Sequence, residues 1–208
     1  MGIPVLIMGE SGSGKSTSLR NFEPGEIGIF NVASKPLPFR KKLTSADAAD
    51  YPMIVNTLNA HNLLRYAIDD SQYLLAFEFF SHADEKGYEK FTNMALNFYN
   101  LIRFIQFNTP PDCIVYFLHH VETSYDSAGN RRLKAKTIGK MLDEKLTVEG
   151  LFSIVLLCQS DSTGRHFFQT QSNGNSTAKS PMEMFPAEID NDLKQVDSAI
   201  RDYYGLQK

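Results

Sequence analysis

The chain has 208 residues, 42% of them hydrophobic, enough to bury the core of a single α/β domain. Its formal net charge of -3 argues against wholesale attraction to nucleic acids or membranes, so contact with a polyanion must come from a local basic patch. Two cysteines, Cys113 and Cys158, lack the spacing of a zinc site or a disulfide framework and read as buried thiols in a reducing compartment. No stretch approaches the roughly 20 apolar residues of a membrane span, so a soluble, cytoplasmic protein is expected.

The first predicted strand covers residues 5–8 and runs into Gly9-Glu10-Ser11-Gly12-Ser13-Gly14-Lys15-Ser16-Thr17, which fits the pattern G-x-x-x-x-G-K-[ST] without a mismatch. The glycines let the backbone curl so that successive N–H groups point at a phosphate. Lys15 then reaches the β/γ oxygens and Ser16 offers a hydroxyl to Mg²⁺. A helix-compatible stretch over 15–21 follows, whose N-terminus favours an anion. This context implies a bound nucleoside triphosphate.

A second strand is expected over 27–32, followed by a basic stretch, Lys35 with Arg40-Lys41-Lys42. A third, over 66–68, ends in Asp69-Asp70-Ser71. That places a carboxylate near the metal, and Asp69 is the first choice, with its strand expected beside the phosphate-loop strand. Asp70 is the competing assignment, and a helix-capping turn at Asp70 or Ser71 is the bland alternative. Apolar residues at three- and four-residue steps predict a long helix over 88–107, stopped by Pro110-Pro111.

The strand over 114–118 closes on His119-His120. Neighbouring strand residues face opposite ways, so one imidazole at most points to the nucleotide edge, and His120 is the preferred γ-phosphate sensor. Two histidines alone make no metal site. A turn over 125–130 precedes Arg131, Arg132, Lys134, Lys136 and Lys140, which are either a solvated face or a surface for DNA phosphates or a neighbouring subunit's nucleotide. Tyr125 at the loop tip could stack on a base. A strand over 154–157 forms a predicted hairpin with 166–171, Lys179 sits in a polar stretch that could reach a phosphate, and 189–204 reads as a closing helix.

Together, the phosphate-loop strand, Asn31-Val32-Ala33-Ser34-Lys35-Pro36, Ile68-Asp69-Asp70-Ser71, the strand ending in His119-His120 and Lys179 resemble phage-encoded RecA-like ATP-binding proteins of the AAA/RecA P-loop group. The resemblance spans nearly the whole chain, and only the phosphate loop in it is highly specific. It implies an α/β P-loop NTPase with a RecA-like, mostly parallel sheet flanked by helices and a C-terminal β-hairpin and helix. It also implies ATP with Mg²⁺, self-assembly into a homo-oligomer, single-stranded DNA and a phage recombination or single-strand-binding protein as partners, and a bacterial host's cytoplasm. On this analogy Gly12, Gly14, Lys15, Ser16 and Thr17 cradle phosphate, Asp69 organises the metal and His120 is the sensor. Arg131, Arg132, Lys136, Lys140 and Lys179 compete as a finger acting on a neighbour.

One departure bears on rate. Such ATPases commonly carry a glutamate after the second strand to orient water, and here Asn31, Val32, Ala33 and Ser34 stand there. Asp70 or Glu78 could substitute; otherwise hydrolysis is slow. The competing classes are a small-molecule or nucleotide kinase, with 131–140 as its lid, and a slow nucleotide-dependent switch acting on a protein partner.

Overall fold

The computed structural model describes residues 1–125, 129–139 and 141–207, without the side chains of 143 and 144. In chain order it contains β1 (Ile3–Gly9), a short 3-10 helix (Ser16–Asn21), β2 (Gly28–Asn31), β3 (Ser45–Asp47), α1 (Tyr51–Asn59), β4 (Arg65–Asp69), α2 (Gln72–Ser81) and α3 (Glu89–Asn108). After these come β5 (Ile114–Tyr125), β6 (Arg131–Ala135), β7 (Ile154–Ser160), β8 (His166–Gln169), β9 (Glu188–Asp190) and α4 (Leu193–Tyr204). The strands form one nine-stranded sheet in the order β3-β2-β4-β5-β1-β7-β8-β9, with β6 paired to β5. From β3 through β7 the pairing is parallel, and β6, β8 and β9 add antiparallel edges. The chain is therefore α/β with a mostly parallel sheet flanked by helices.

Strand periodicity divides the core between the two faces of the sheet. Leu6, Met8, Val115, Phe117, Val155 and Leu157 pack against α1 and α3 through Ile54, Leu58, Phe98, Leu101, Ile102 and Ile105. Their alternates Val5, Ile7, Ile114, Tyr116, Ile154 and Leu156 pack against Leu19 and Phe22 of the segment after β1 and Leu193, Val196 and Ile200 of α4. Strands buried on both faces read as continuous apolar runs, which is why residues 5–8, 114–118 and 154–157 stood out in the sequence.

Two helix starts show how local chemistry sets the boundaries. Asp50 accepts from Met53 N at 2.9 Å to open α1. Asp192 accepts from the backbone N–H groups of Lys194 and Gln195, so α4 begins at Leu193 rather than near 189, and residues 188–190 are edge strand β9 instead. Gly205, with φ 63°, closes α4 in the left-handed region.

Three further expectations are corrected. The segment after the phosphate loop is a six-residue 3-10 helix, too short for a substantial macrodipole, so any anion binding there rests on the loop N–H groups themselves. The strand ending in His119-His120 continues to Tyr125 because β6 supplies it with an antiparallel partner beyond the parallel sheet. The strand carrying Asp69 is not beside β1: β5 lies between β4 and β1.

Candidate functional site

The register gathers the polar ends of the central strands into one row. Asn31 pairs with Asp69 across β2 and β4, and Gly9 is opposite both His120 of β5 and Cys158 of β7. The chain leaving β1 crosses to the α4 face, whereas α2 and α3, which follow β4, cover the opposite face through Leu74, Leu75 and Phe98. That reversal opens a crevice at the carboxyl end of β1, where open α/β sheets bind ligands.

The loop from Gly9 fills this crevice under tight steric limits. A Cβ on Gly9 would lie 2.3 Å from Ser13 Oγ and 2.8 Å from the Cys158 carbonyl oxygen. Gly14 adopts φ 100°, and a Cβ there would lie 2.8 Å from the His166 ring. Cys158 Sγ donates to the Ser13 carbonyl at 3.0 Å and Asn191 Nδ2 to the Gly14 carbonyl at 3.2 Å, so β7 and the segment before α4 both brace the loop.

Lys15 is buried at 6% exposure, its Nζ donating to the carbonyls of Gly9 at 2.8 Å and Glu10 at 2.9 Å. Ser16 Oγ donates to Asp69 Oδ1 at 2.7 Å, which brings a hydroxyl and a carboxylate together although one strand separates β1 from β4. Burial pushes the Lys15 ammonium below its usual range, against the pull of Asp70 and Asp69. It pushes the Asp69 carboxyl up, against the Ser16 hydrogen bond. Opposite shifts of this kind mark charges held where water screens them poorly.

A cavity of about 230 Å³ joins these groups, lined by Ser11, Gly12, Gly14, Lys15, Ser16 and Thr17 together with Lys35, Asp69, Asp70 and His120. Asp70 has φ 58°, a region aspartate tolerates better than most residues. Its carboxylate is bridged by Lys35 Nζ, 2.5 Å from Oδ2, and by His120 Nε2, 3.0 Å from Oδ1. Burial opposes ionisation of Asp70, but the hydrogen bonds from His120 and Lys35 outweigh it and hold the carboxyl down to about 2. So acidic a group is a poor general base near neutrality, which weighs against the base role considered for Asp70. Glu78 is no substitute: it accepts from Asn97 Nδ2 at 2.6 Å and lines a separate apolar cavity with Tyr51 and Phe77.

The two histidines separate as strand alternation requires. His120 enters the cavity, with its ring edge-on to Tyr73 at 5.7 Å between centroids. His119 is fully buried beside Phe98, its Nδ1 2.9 Å from Ser71 Oγ and its Nε2 2.8 Å from the Lys136 carbonyl. Burial lowers its pKa to about 4, so the ring is neutral, donating from Nε2 to the carbonyl and accepting at Nδ1 from the Ser71 hydroxyl.

Beyond His120, β5 and β6 form an arm. Lys136 N donates to the His120 carbonyl at 2.9 Å, rooting the arm on the strand end that carries the imidazole. Arg131 turns back onto the phosphate loop of its own chain, its Nη2 2.9 Å from Glu10 Oε1. It roofs a second cavity, of about 250 Å³, between Glu10–Ser13 and the end of β7. Lys134 pairs with Glu122 at 3.1 Å, while Arg132 and Tyr125 are exposed on the arm. Lys179 is not gathered into the site: its backbone bridges Val155, at 2.8 Å in both directions, well short of the carboxyl end of β7, and it does not line the phosphate-loop cavity. Lys140 and residues 126–128 of the expected turn lie outside the described residues.

The sequence places Lys35 in the resembling segment 31–36 and in the basic stretch after it, without a role, and Asn31 where a glutamate is expected. The structure gives both a role. Asn31 Nδ2 donates to the Lys35 carbonyl at 2.9 Å and to Asp47 Oδ1 at 2.8 Å, and its Oδ1 accepts from Lys35 N at 3.2 Å. A carboxylate at this position could not donate, so the amide is what fixes the backbone of Lys35. The signal available in the sequence was Lys35 standing immediately before Pro36, which restricts its backbone.

Among the described residues no group of three or more His, Cys, Asp or Glu could hold a metal without other ligands. Ser16 and Asp69 nevertheless suit Mg²⁺, a hard cation that takes few protein oxygens and completes its shell with phosphate and water. No helix of the described residues is long and apolar enough to cross a membrane. No protein-family model matches the chain, and no curated protein matches it.

Proposed function

We propose that this chain is a P-loop ATPase of RecA-like type that binds ATP with Mg²⁺ at the carboxyl end of β1, turns it over slowly, and engages single-stranded DNA through the β5–β6 arm. The observation that carries the reading is the Ser16 Oγ–Asp69 Oδ1 contact of 2.7 Å, in the same cavity as the buried ammonium of Lys15. A hydroxyl and a carboxylate beside a phosphate loop form the donor set for a nucleotide-bound Mg²⁺, and opposed burial shifts on Lys15 and Asp69 are relieved when a polyphosphate and its cation arrive. When bound, Mg²⁺ neutralises charge on the β/γ-phosphates. The chain's own contribution is to position them: loop N–H groups and Lys15 hold the phosphates, Asp69 orients Ser16, and Asp70 stays ionised.

Slow turnover follows from the residues around the terminal phosphate. Asn31 is committed to Lys35 and Asp47, Asp70 is committed to His120, and Glu78 faces another cavity. The arm supports the DNA assignment by exposing Tyr125 and Arg132, an aromatic plane and a cation suited to a base and a phosphate. It argues against a kinase lid, since residues 131–135 are a strand of the sheet rather than a separate flap.

The test is steady-state ATP hydrolysis with and without a single-stranded oligonucleotide, at low and moderate salt. Stimulation that weakens with salt, and falls in Arg132→Ala, is the expected outcome. Turnover indifferent to DNA contradicts the DNA role, and phosphate transfer to a nucleoside monophosphate assigns the chain to the kinase class.

A further inference from the structure

Lys35 is built into the site more deliberately than a surface lysine. Its backbone is held at both ends by one side chain, Asn31, which accepts from its N–H and donates to its carbonyl, and Pro36 restricts it from the other side. Its ammonium reaches Asp70 Oδ2 at 2.5 Å and lies 5.2 Å from the centre of the Tyr73 ring. The side chain remains 57% exposed, so the ammonium keeps room to move. Lys35 and Lys15 line the same cavity. The Asp70 hydrogen bond raises the Lys35 pKa, against some desolvation, so this cation is charged throughout the neutral range.

We infer that Lys35 is a second phosphate ligand, supplied by the same chain, that reads the terminal phosphate of a nucleoside triphosphate and exchanges Asp70 for it. This rests on the phosphate-loop reading above. Asp70 is already shared between Lys35 and His120, so when Lys35 swings to the phosphate the carboxylate keeps its bond to His120. A doubly charged terminal phosphate offers the ammonium more than one carboxylate oxygen does. A diphosphate lacks that terminal group, and Lys35 then remains on Asp70. The residue thus separates triphosphate from diphosphate without a finger from a neighbouring subunit.

The experiment measures equilibrium affinities for a non-hydrolysable ATP analogue and for ADP, both with Mg²⁺, in the unaltered protein, Lys35→Ala, Lys35→Arg and Lys15→Ala. Lys41→Ala serves as the control for loss of one nearby positive charge; its ammonium pairs with Glu23 on the surface. Lys35→Ala is expected to weaken the triphosphate analogue about tenfold and ADP less than about twofold, with Lys35→Arg recovering most of the loss. Equal weakening of both ligands, no weakening, or the same effect from Lys41→Ala overturns the proposal. If the unaltered protein binds neither nucleotide, the phosphate-loop reading itself fails, and that result is distinct from a Lys35 substitution that changes nothing. An unchanged thermal midpoint of Lys35→Ala without nucleotide shows that a lost affinity reflects the ligand rather than the fold.

Discussion

Asp197→Ala is expected to destabilise the protein by about 3–5 kcal/mol, the usual cost of leaving a buried charge without its partner. Asp197 sits on α4 at 2% side-chain exposure, and its Oδ2 accepts from Arg65 Nε at 2.6 Å and Arg201 Nε at 2.7 Å. Tyr116 OH donates to its Oδ1 at 2.9 Å. The Arg201 side chain, 1% exposed, also donates to the carbonyls of Asp112, Gln207 and Leu64, so it cannot turn out to solvent without giving up these bonds. The network ties α4 to the chain end and to β4 and β5, with Leu64 and Asp112 just before the amino ends of these strands. A urea titration of Asp197→Ala reads the loss as a lower midpoint at unchanged slope. The double variant Asp197→Leu with Arg201→Met should lose less than Asp197→Ala, because it removes the buried Arg201 charge together with its partner. A loss below about 1 kcal/mol in the single variant contradicts a buried, mutually dependent network.

Asp69→Asn is expected to raise the Mg²⁺ concentration needed for tight ATP binding by about 10- to 100-fold, the range found when a group that orients a metal ligand is removed. Asparagine keeps the shape and an oxygen to accept from Ser16 Oγ, so the 2.7 Å contact and the fold survive while the charge is lost. Asp69 also repels phosphate, so binding of metal-free ATP should tighten slightly. The opposite signs of the two effects separate a metal role from simple damage to the site. Titrating nucleotide at a series of Mg²⁺ concentrations reads both, and an unchanged Mg²⁺ midpoint contradicts the assignment of Asp69.

The parts of this site legible in the sequence were those whose chemistry is local. The loop over 9–17 reports its own geometry, because glycines at positions 9 and 14 are demanded by close approaches and a positive φ within or beside the loop. The apolar runs of β1, β4, β5 and β7 were visible because strands covered on both faces lose their alternation. What stayed hidden depends on pairing across the sheet. The basic run after residue 130 reads as a solvated or polyanion-binding face, yet it is strand β6, which turns Arg131 onto Glu10 and sets Lys134 against Glu122. Asp197 and Arg201, four residues apart on a helix, look like an exposed pair until Arg65 and Tyr116 arrive from strands more than 80 residues away in the chain. Lys35 was hidden for the same reason: only the adjacency of β2 and β4 brings it to Asp70.

The central claim, that the crevice at the end of β1 is a nucleoside triphosphate site, is tested most directly by calorimetric titration of Mg²⁺-ATP into the unaltered protein and into Lys15→Ala. The account predicts one site per chain, with affinity about 100-fold lower in Lys15→Ala, near 3 kcal/mol, since the buried ammonium is lost while the loop backbone remains. Equal affinity in the two proteins, or no heat of binding in the unaltered one, would contradict it.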